Sequence, residues 1–100
     1  MGKYPVITLC GSTKFKKEFI EAQKELTLKG NIVISVGCFG HSGDVITDEQ
    51  KMMLDDIHKR KIDMSDSIYV INVGGYIGES TKSEIIYAKE HGKNVEYMFR

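Results

Sequence analysis

The sequence predicts a single α/β domain spanning residues 1–100, with about four parallel strands covered by helices on both faces. Three observations predict it. Short apolar, β-branched runs alternate with segments of helical period along the whole chain. The runs are continuously apolar, as strands buried on both faces are. Each of the first three runs ends in a glycine-bearing turn, which marks the edge where such sheets bind ligands.

Val6-Ile7-Thr8-Leu9-Cys10 reads as the first strand, ended by the turn Gly11-Ser12-Thr13. Phe15, Phe19, Ala22 and Leu26 recur at helical spacing until Lys29-Gly30, a basic last turn with a C-cap glycine. Asn31–Val36 is the second strand. The irregular segment after it, Gly37–Ile46, holds three glycines and one aromatic, and reads as a mobile flap bearing His41 and Asp44. Thr47-Asp48-Glu49-Gln50 is a capping box opening a helix to Met64, with Met53, Leu54, Ile57 and Ile62 along it and the methionines as core filler. After Ser65-Asp66, where Asp66 is expected to make a turn contact, Ser67–Val73 is the third strand. A helix from Glu84 to His91 closes at Gly92, and Val95–Phe99 is the last strand. Four strands thus alternate with three helices in a Rossmann-like (flavodoxin-like) three-layer sandwich.

Composition narrows the function. Fourteen basic residues balance fourteen acidic ones, so no excess of charge attracts a nucleic-acid backbone or an anionic membrane. No apolar run reaches bilayer length and the first residues do not resemble a signal peptide, so a cytoplasmic protein is expected. Cys10 and Cys38 form no C-x-x-C and have no histidine at ligand spacing; each reads as a small buried apolar side chain, and no metal or organic cofactor is expected. A chain of 100 residues buries only about 60–65% of its unfolded surface, a reason to associate.

The candidate site lies where the strand ends meet. Gly74, Gly75, Tyr76, Gly78, Ser80 and Thr81 lie between the third strand and Glu84. Glycine lets a ligand approach the backbone, and a helix start offers free N–H groups to an anion. Thr81-x-x-Glu84 also reads as a capping box, which by itself implies no chemistry. Three glycine-bearing strand ends converging on one crevice imply more: a ligand site suited to sugar hydroxyls and phosphate. Tyr76 either stacks on a base or packs against a neighbouring subunit.

Cys10-Gly11-Ser12 after an apolar strand, an acidic helix ahead of Asp66, and a glycine-rich turn running into Glu84 resemble the nucleoside 2-deoxyribosyltransferase-like superfamily, which includes the 2′-deoxynucleoside 5′-monophosphate N-glycosidases. The resemblance extends over nearly the whole chain. Gly74-Gly75 with Thr81-x-x-Glu84 is also similar to the G-G-x-G-T-x-x-E loop of the cytokinin-activating nucleotide phosphoribohydrolases, with a longer turn. The resemblance implies hydrolysis or transfer at the N-glycosidic bond of a small-molecule nucleoside or nucleotide, with Glu84 attacking the anomeric carbon or stabilising an oxocarbenium ion. It implies a 5′-phosphate held by Ser12 and Lys14, with Gly11 in the same turn, and a homodimer or higher homo-oligomer. Thr8 stands where the family has Tyr, His58 where it has its active-site Asp, and Gly78 where it has a polar residue. His58 is then the expected proton donor, oriented by Asp55 one turn earlier. The alternatives are a non-catalytic module that binds or senses a nucleotide-derived ligand, and an interaction protein with a vestigial pocket.

Overall fold

The computed structural model describes residues 3–39 and 43–99. Its elements are β1 (Val6–Gly11), α1 (Lys16–Leu28), β2 (Ile32–Ile34), α2 (Asp48–Asp63), β3 (Ser67–Ile71), a single 3-10 turn (Val73–Gly75), α3 (Glu79–Glu90) and β4 (Asn94–Tyr97). The four strands form one parallel sheet in the order β2-β1-β3-β4. This is the expected three-layer α/β arrangement, and its strand order reverses between β1 and β3.

Strand alternation divides the core. Ile7 and Leu9 of β1 and Ile71 of β3 face α1, where Phe19, Ala22 and Leu26 cover them. Cys10, Ile68 and Val70 face the opposite way, onto Ile62 of α2 and Ala88 and Ile85 of α3. Parallel strands buried on both faces are apolar at nearly every position. That is why β1 and β3 show no polar alternation.

Local signals end the elements as expected at several places. Gly30 (φ +98°) stops α1, and the Asn31 amide then donates to the Leu26 carbonyl at 3.1 Å. At Thr47 the capping box is complete: the Gln50 amide donates to Thr47 Oγ1 at 3.1 Å and the Thr47 amide to Gln50 Oε1 at 3.0 Å. Asp66 does more than make a turn, because Oδ2 accepts the Val6 amide at 2.8 Å and so ties the start of β3 to β1.

Two expectations are corrected. The methionines of α2 are not core filler: Met52, Met53 and Met64 are exposed, and the buried stripe runs instead through His58 and Ile62. Thr81-x-x-Glu84 is not a capping box. The helix starts at Glu79 with Gly78 as a cap lacking any side-chain bond, and the Lys82 amide donates to the Gly78 carbonyl at 2.9 Å to close the first turn. Thr81 and Glu84 therefore sit inside α3, both buried. Among the described residues, no helix is long and apolar enough to cross a membrane.

Candidate functional site

A cavity of about 620 Å³ opens at the carboxyl edge of the sheet, where the strand order reverses between β1 and β3. It is lined by the end of β1 and the turn after it (Gly11, Ser12), by the segments after β2 (Gly37, Cys38) and β3 (Tyr76, Gly78), and by facing sides of α2 and α3, Ser80 among them. The topology forces this convergence: right-handed crossovers put every strand's carboxyl end on one edge. The early start of α3 then matters. Its second turn, not its cap, presents Glu84 to the cavity, so the carboxyl is free of any duty at its own helix start.

Glu84 is 8% exposed and lines the cavity together with His58. Cys10, fully buried, lies beside them: its Sγ is 3.4 Å from His58 Nε2, and His58 Nε2 is 3.9 Å from Glu84 Oε1. Burial pushes the Glu84 carboxyl up from 4.5 to about 7, opposed by the hydrogen bond from the Cys10 thiol and by Lys51 and Lys59, and aided by Asp55. Burial and the nearby Lys61 ammonium lower the His58 imidazole to about 4, although the Leu9 carbonyl and Asp55 act the other way. The imidazole is thus neutral near pH 7, and its contact with Glu84 is dipolar rather than an ion pair. Burial, then the Glu84 carboxylate, raise the Cys10 thiol, so it stays protonated.

His58 therefore occupies the cavity wall, as the sequence suggests, but without the expected orienting group. Asp55 binds Lys51 Nζ instead, at 3.0 and 3.2 Å, and a neutral imidazole is a poor proton donor. Lys51 also donates to Ser80 Oγ at 3.2 Å, which joins α2 to the first turn of α3 beside the cavity.

Gly11, Ser12, Tyr76, Gly78, Ser80, Thr81, His58 and Glu84 are brought together around one cavity. Lys14, Gly74 and Gly75 do not line it. Lys14 Nζ lies 3.7 Å above the Tyr76 ring centroid, at the rim. Gly74 (φ +62°) and Gly75 (φ +81°) are exposed and supply left-handed backbone for the turn that carries Tyr76 back. Thr8 does not line the cavity either; its hydroxyl pairs with Ser65 Oγ and donates to the Lys61 carbonyl, tying β1 to the end of α2. Asp44 lines the cavity and its Oδ2 accepts the Phe39 amide at 2.7 Å. His41 lies outside the described residues.

Sequence reasoning passed over Cys10 and Lys51. Spacing along the chain hid the first, since its neighbours in space are 48 and 74 positions away. The readable signal was a cysteine at a strand's last turn, directly before Gly-Ser. Lys51 follows the Thr47 capping box by one turn, which places it at the cavity mouth. Comparison of the chain with protein-family models, curated proteins and solved structures finds no match. The chemistry of the cavity is the remaining guide. Its donor set of one thiol, one imidazole and one carboxyl, all within 4.8 Å of one another, is also one that a metal ion could take.

Proposed function

We propose that the protein cleaves or exchanges the N-glycosidic bond of a nucleoside or nucleotide, with Glu84 as the carboxylate that attacks the anomeric carbon or stabilises the oxocarbenium ion. One observation carries the proposal: a buried carboxyl, released from helix capping, faces a cavity of about 620 Å³ at the point where strand order reverses. A nucleotide-sized ligand fits such a volume. The resemblance to the nucleoside 2-deoxyribosyltransferase-like superfamily supports the same reading. Gly11 and Ser12 on one wall and Ser80 and Thr81 on another would hold sugar hydroxyls and phosphate, with Lys51 nearby. Tyr76 would pack along the base. His58, neutral, would fix the carboxyl's position, and solvent entering the cavity would give the departing base its proton.

A second reading is a binding or sensing module for a nucleotide-derived ligand. The lowered basicity of His58 favours it, because the residue at the family's active-site Asp position then lacks a proton to give. Cytoplasmic residence and a homodimer belong to the same proposal, the latter supported by the exposed Met53, Ile57 and Ile86 on α2 and α3.

One experiment separates the readings. The protein is incubated with a panel of nucleosides and nucleoside monophosphates, and free base is sought by chromatography, with Glu84→Ala as control. Release by the wild type alone supports the enzyme. A raised melting temperature without release supports the binding module. Neither response overturns both.

A further inference from the structure

Cys10, His58 and Glu84 come from three different elements, yet their donor atoms meet within 4.8 Å beneath the cavity. We propose that these three residues bind one divalent ion of the zinc class, with a fourth position open to the cavity, and that an ion there silences Glu84. The silencing rests on the N-glycosidic reading; the metal site does not.

The distances match such a site. Tetrahedral zinc, with bonds of about 2.3 Å to sulfur and 2.0–2.1 Å to nitrogen and oxygen, requires ligand separations of roughly 3.3–3.6 Å. Cys10 Sγ and His58 Nε2 already stand 3.4 Å apart, and His58 Nε2 and Glu84 Oε1 stand 3.9 Å apart. The Glu84 carboxylate, within 4.8 Å of both other donors, needs to close on them by about 1 Å, a movement that a side-chain rotation supplies.

The donor types fit as well. Thiolate and imidazole favour zinc, cobalt or copper over magnesium or calcium, which prefer oxygen alone. Thiolate and carboxylate together carry two negative charges, which one dication cancels. That cancellation relieves the desolvation each anion suffers alone in this buried place. On binding, the thiol's proton and any proton on the Glu84 carboxyl go to solvent, and a lone pair from each goes to the metal. The nearby Leu9 carbonyl raises the basicity of the imidazole, as outer-sphere carbonyls do for metal-bound histidines. His58 and Glu84 line the cavity while Cys10 is fully buried, so the ion enters from the cavity and its open position faces a ligand.

The test titrates reduced, chelator-treated protein with Co²⁺ and reads the thiolate-to-metal charge-transfer absorption and the visible bands of tetrahedral cobalt. One Co²⁺ per chain, displaced by Zn²⁺, is expected. Cys10→Ser should abolish the charge-transfer band and Cys38→Ser should keep it. Glu84→Gln, on the cavity wall, should lose more affinity than the roughly 10- to 100-fold that an outer-sphere change costs. Absence of the band in the wild type, or its survival in Cys10→Ser, overturns the site. Should Cys10→Ser fail to fold, undiminished affinity in Glu84→Gln overturns it instead. Zn²⁺ should suppress base release and a chelator restore it; release that persists with the site loaded overturns the silencing. Cobalt binding in a protein that releases no base under any condition leaves the metal site standing and removes the N-glycosidic reading.

Discussion

The Glu84 carboxyl and the His58 imidazole lie 3.9 Å apart, and burial moves them in opposite directions, the acid up to about 7 and the base down to about 4. Between those values the pair is uncharged. A carboxylate nucleophile must be ionised, so in metal-free protein kcat/KM for base release should rise with pH through a midpoint near 7. His58→Gln, which keeps a neutral polar side chain beside the carboxyl, should move that midpoint little. Cys10→Ala should move it upward, because the thiol's hydrogen bond favours the ionised form. A pH–rate profile of the three proteins checks this. A rate that falls through pH 7 instead would assign Glu84 the role of an acid.

The same burial predicts an unusual effect on stability. The Glu84 value is raised on folding, so the native state holds its proton more tightly than the unfolded chain does. Stability from this group is present below the unfolded value of 4.5 and is lost as pH rises through about 7. The loss amounts to roughly 3 kcal/mol once the carboxyl is ionised. Glu84→Gln should therefore raise the melting temperature by several degrees at mildly alkaline pH and change it little in mild acid. Thermal melts at the two pH values, with chelator present, check it.

How much of this was legible in the sequence differs by residue. The sheet and its strand ends were readable because β1 and β3 are apolar at nearly every position, and only strands covered on both faces can be. The cavity followed, since parallel topology leaves the turns at Gly11, Gly37 and Gly78 little freedom to lie elsewhere. The start of α3 was not readable: a glycine cap leaves no side-chain signature, whereas Thr81-x-x-Glu84 imitates one. The methionines of α2 misled for another reason. The stripe buried by α2 includes a histidine that a purely apolar pattern would assign to solvent. And Cys10 could not be paired with partners so distant in sequence until the crossovers were folded.

Gly11 should not tolerate a methyl group. A Cβ there would meet the Ile71 carbonyl oxygen at 2.9 Å and the Ile71 Cβ at 3.1 Å, on the strand paired with it. Gly11→Ala must push β1 from β3 at the floor of the cavity, at a cost of about 1–3 kcal/mol. Urea unfolding should show a lower midpoint with an unchanged slope. Ser12→Ala, one residue on, should leave the midpoint almost unaltered.

Asn72 should matter to the end of the chain. Its buried side chain donates to the Phe99 carbonyl at 2.8 Å and accepts the Phe99 amide at 2.9 Å, continuing the ladder past β4. Asn72→Ala removes both bonds, for a loss of about 1–3 kcal/mol. Hydrogen exchange at the Phe99 amide should accelerate in the variant, while the amides of β1 change only with global stability.

Lys51 separates a structural role from a binding one. Its ammonium joins Asp55 and Ser80, but the Asp55 pair is half-exposed and one helical turn apart. Such pairs contribute about 0.3–0.5 kcal/mol, so Lys51→Met should scarcely alter folding stability. The same ammonium borders the cavity, where it would meet the charged part of a phosphorylated ligand. A hydrogen bond to a charged group contributes about 1.5–3 kcal/mol, so affinity for a nucleoside monophosphate should fall roughly 10- to 100-fold in the variant. Affinity for the matching nucleoside, which has no phosphate to lose, should stay nearly constant. Calorimetric titration of both ligands into both proteins makes the comparison, and equal losses for the two would show that Lys51 shapes the cavity rather than meeting the phosphate.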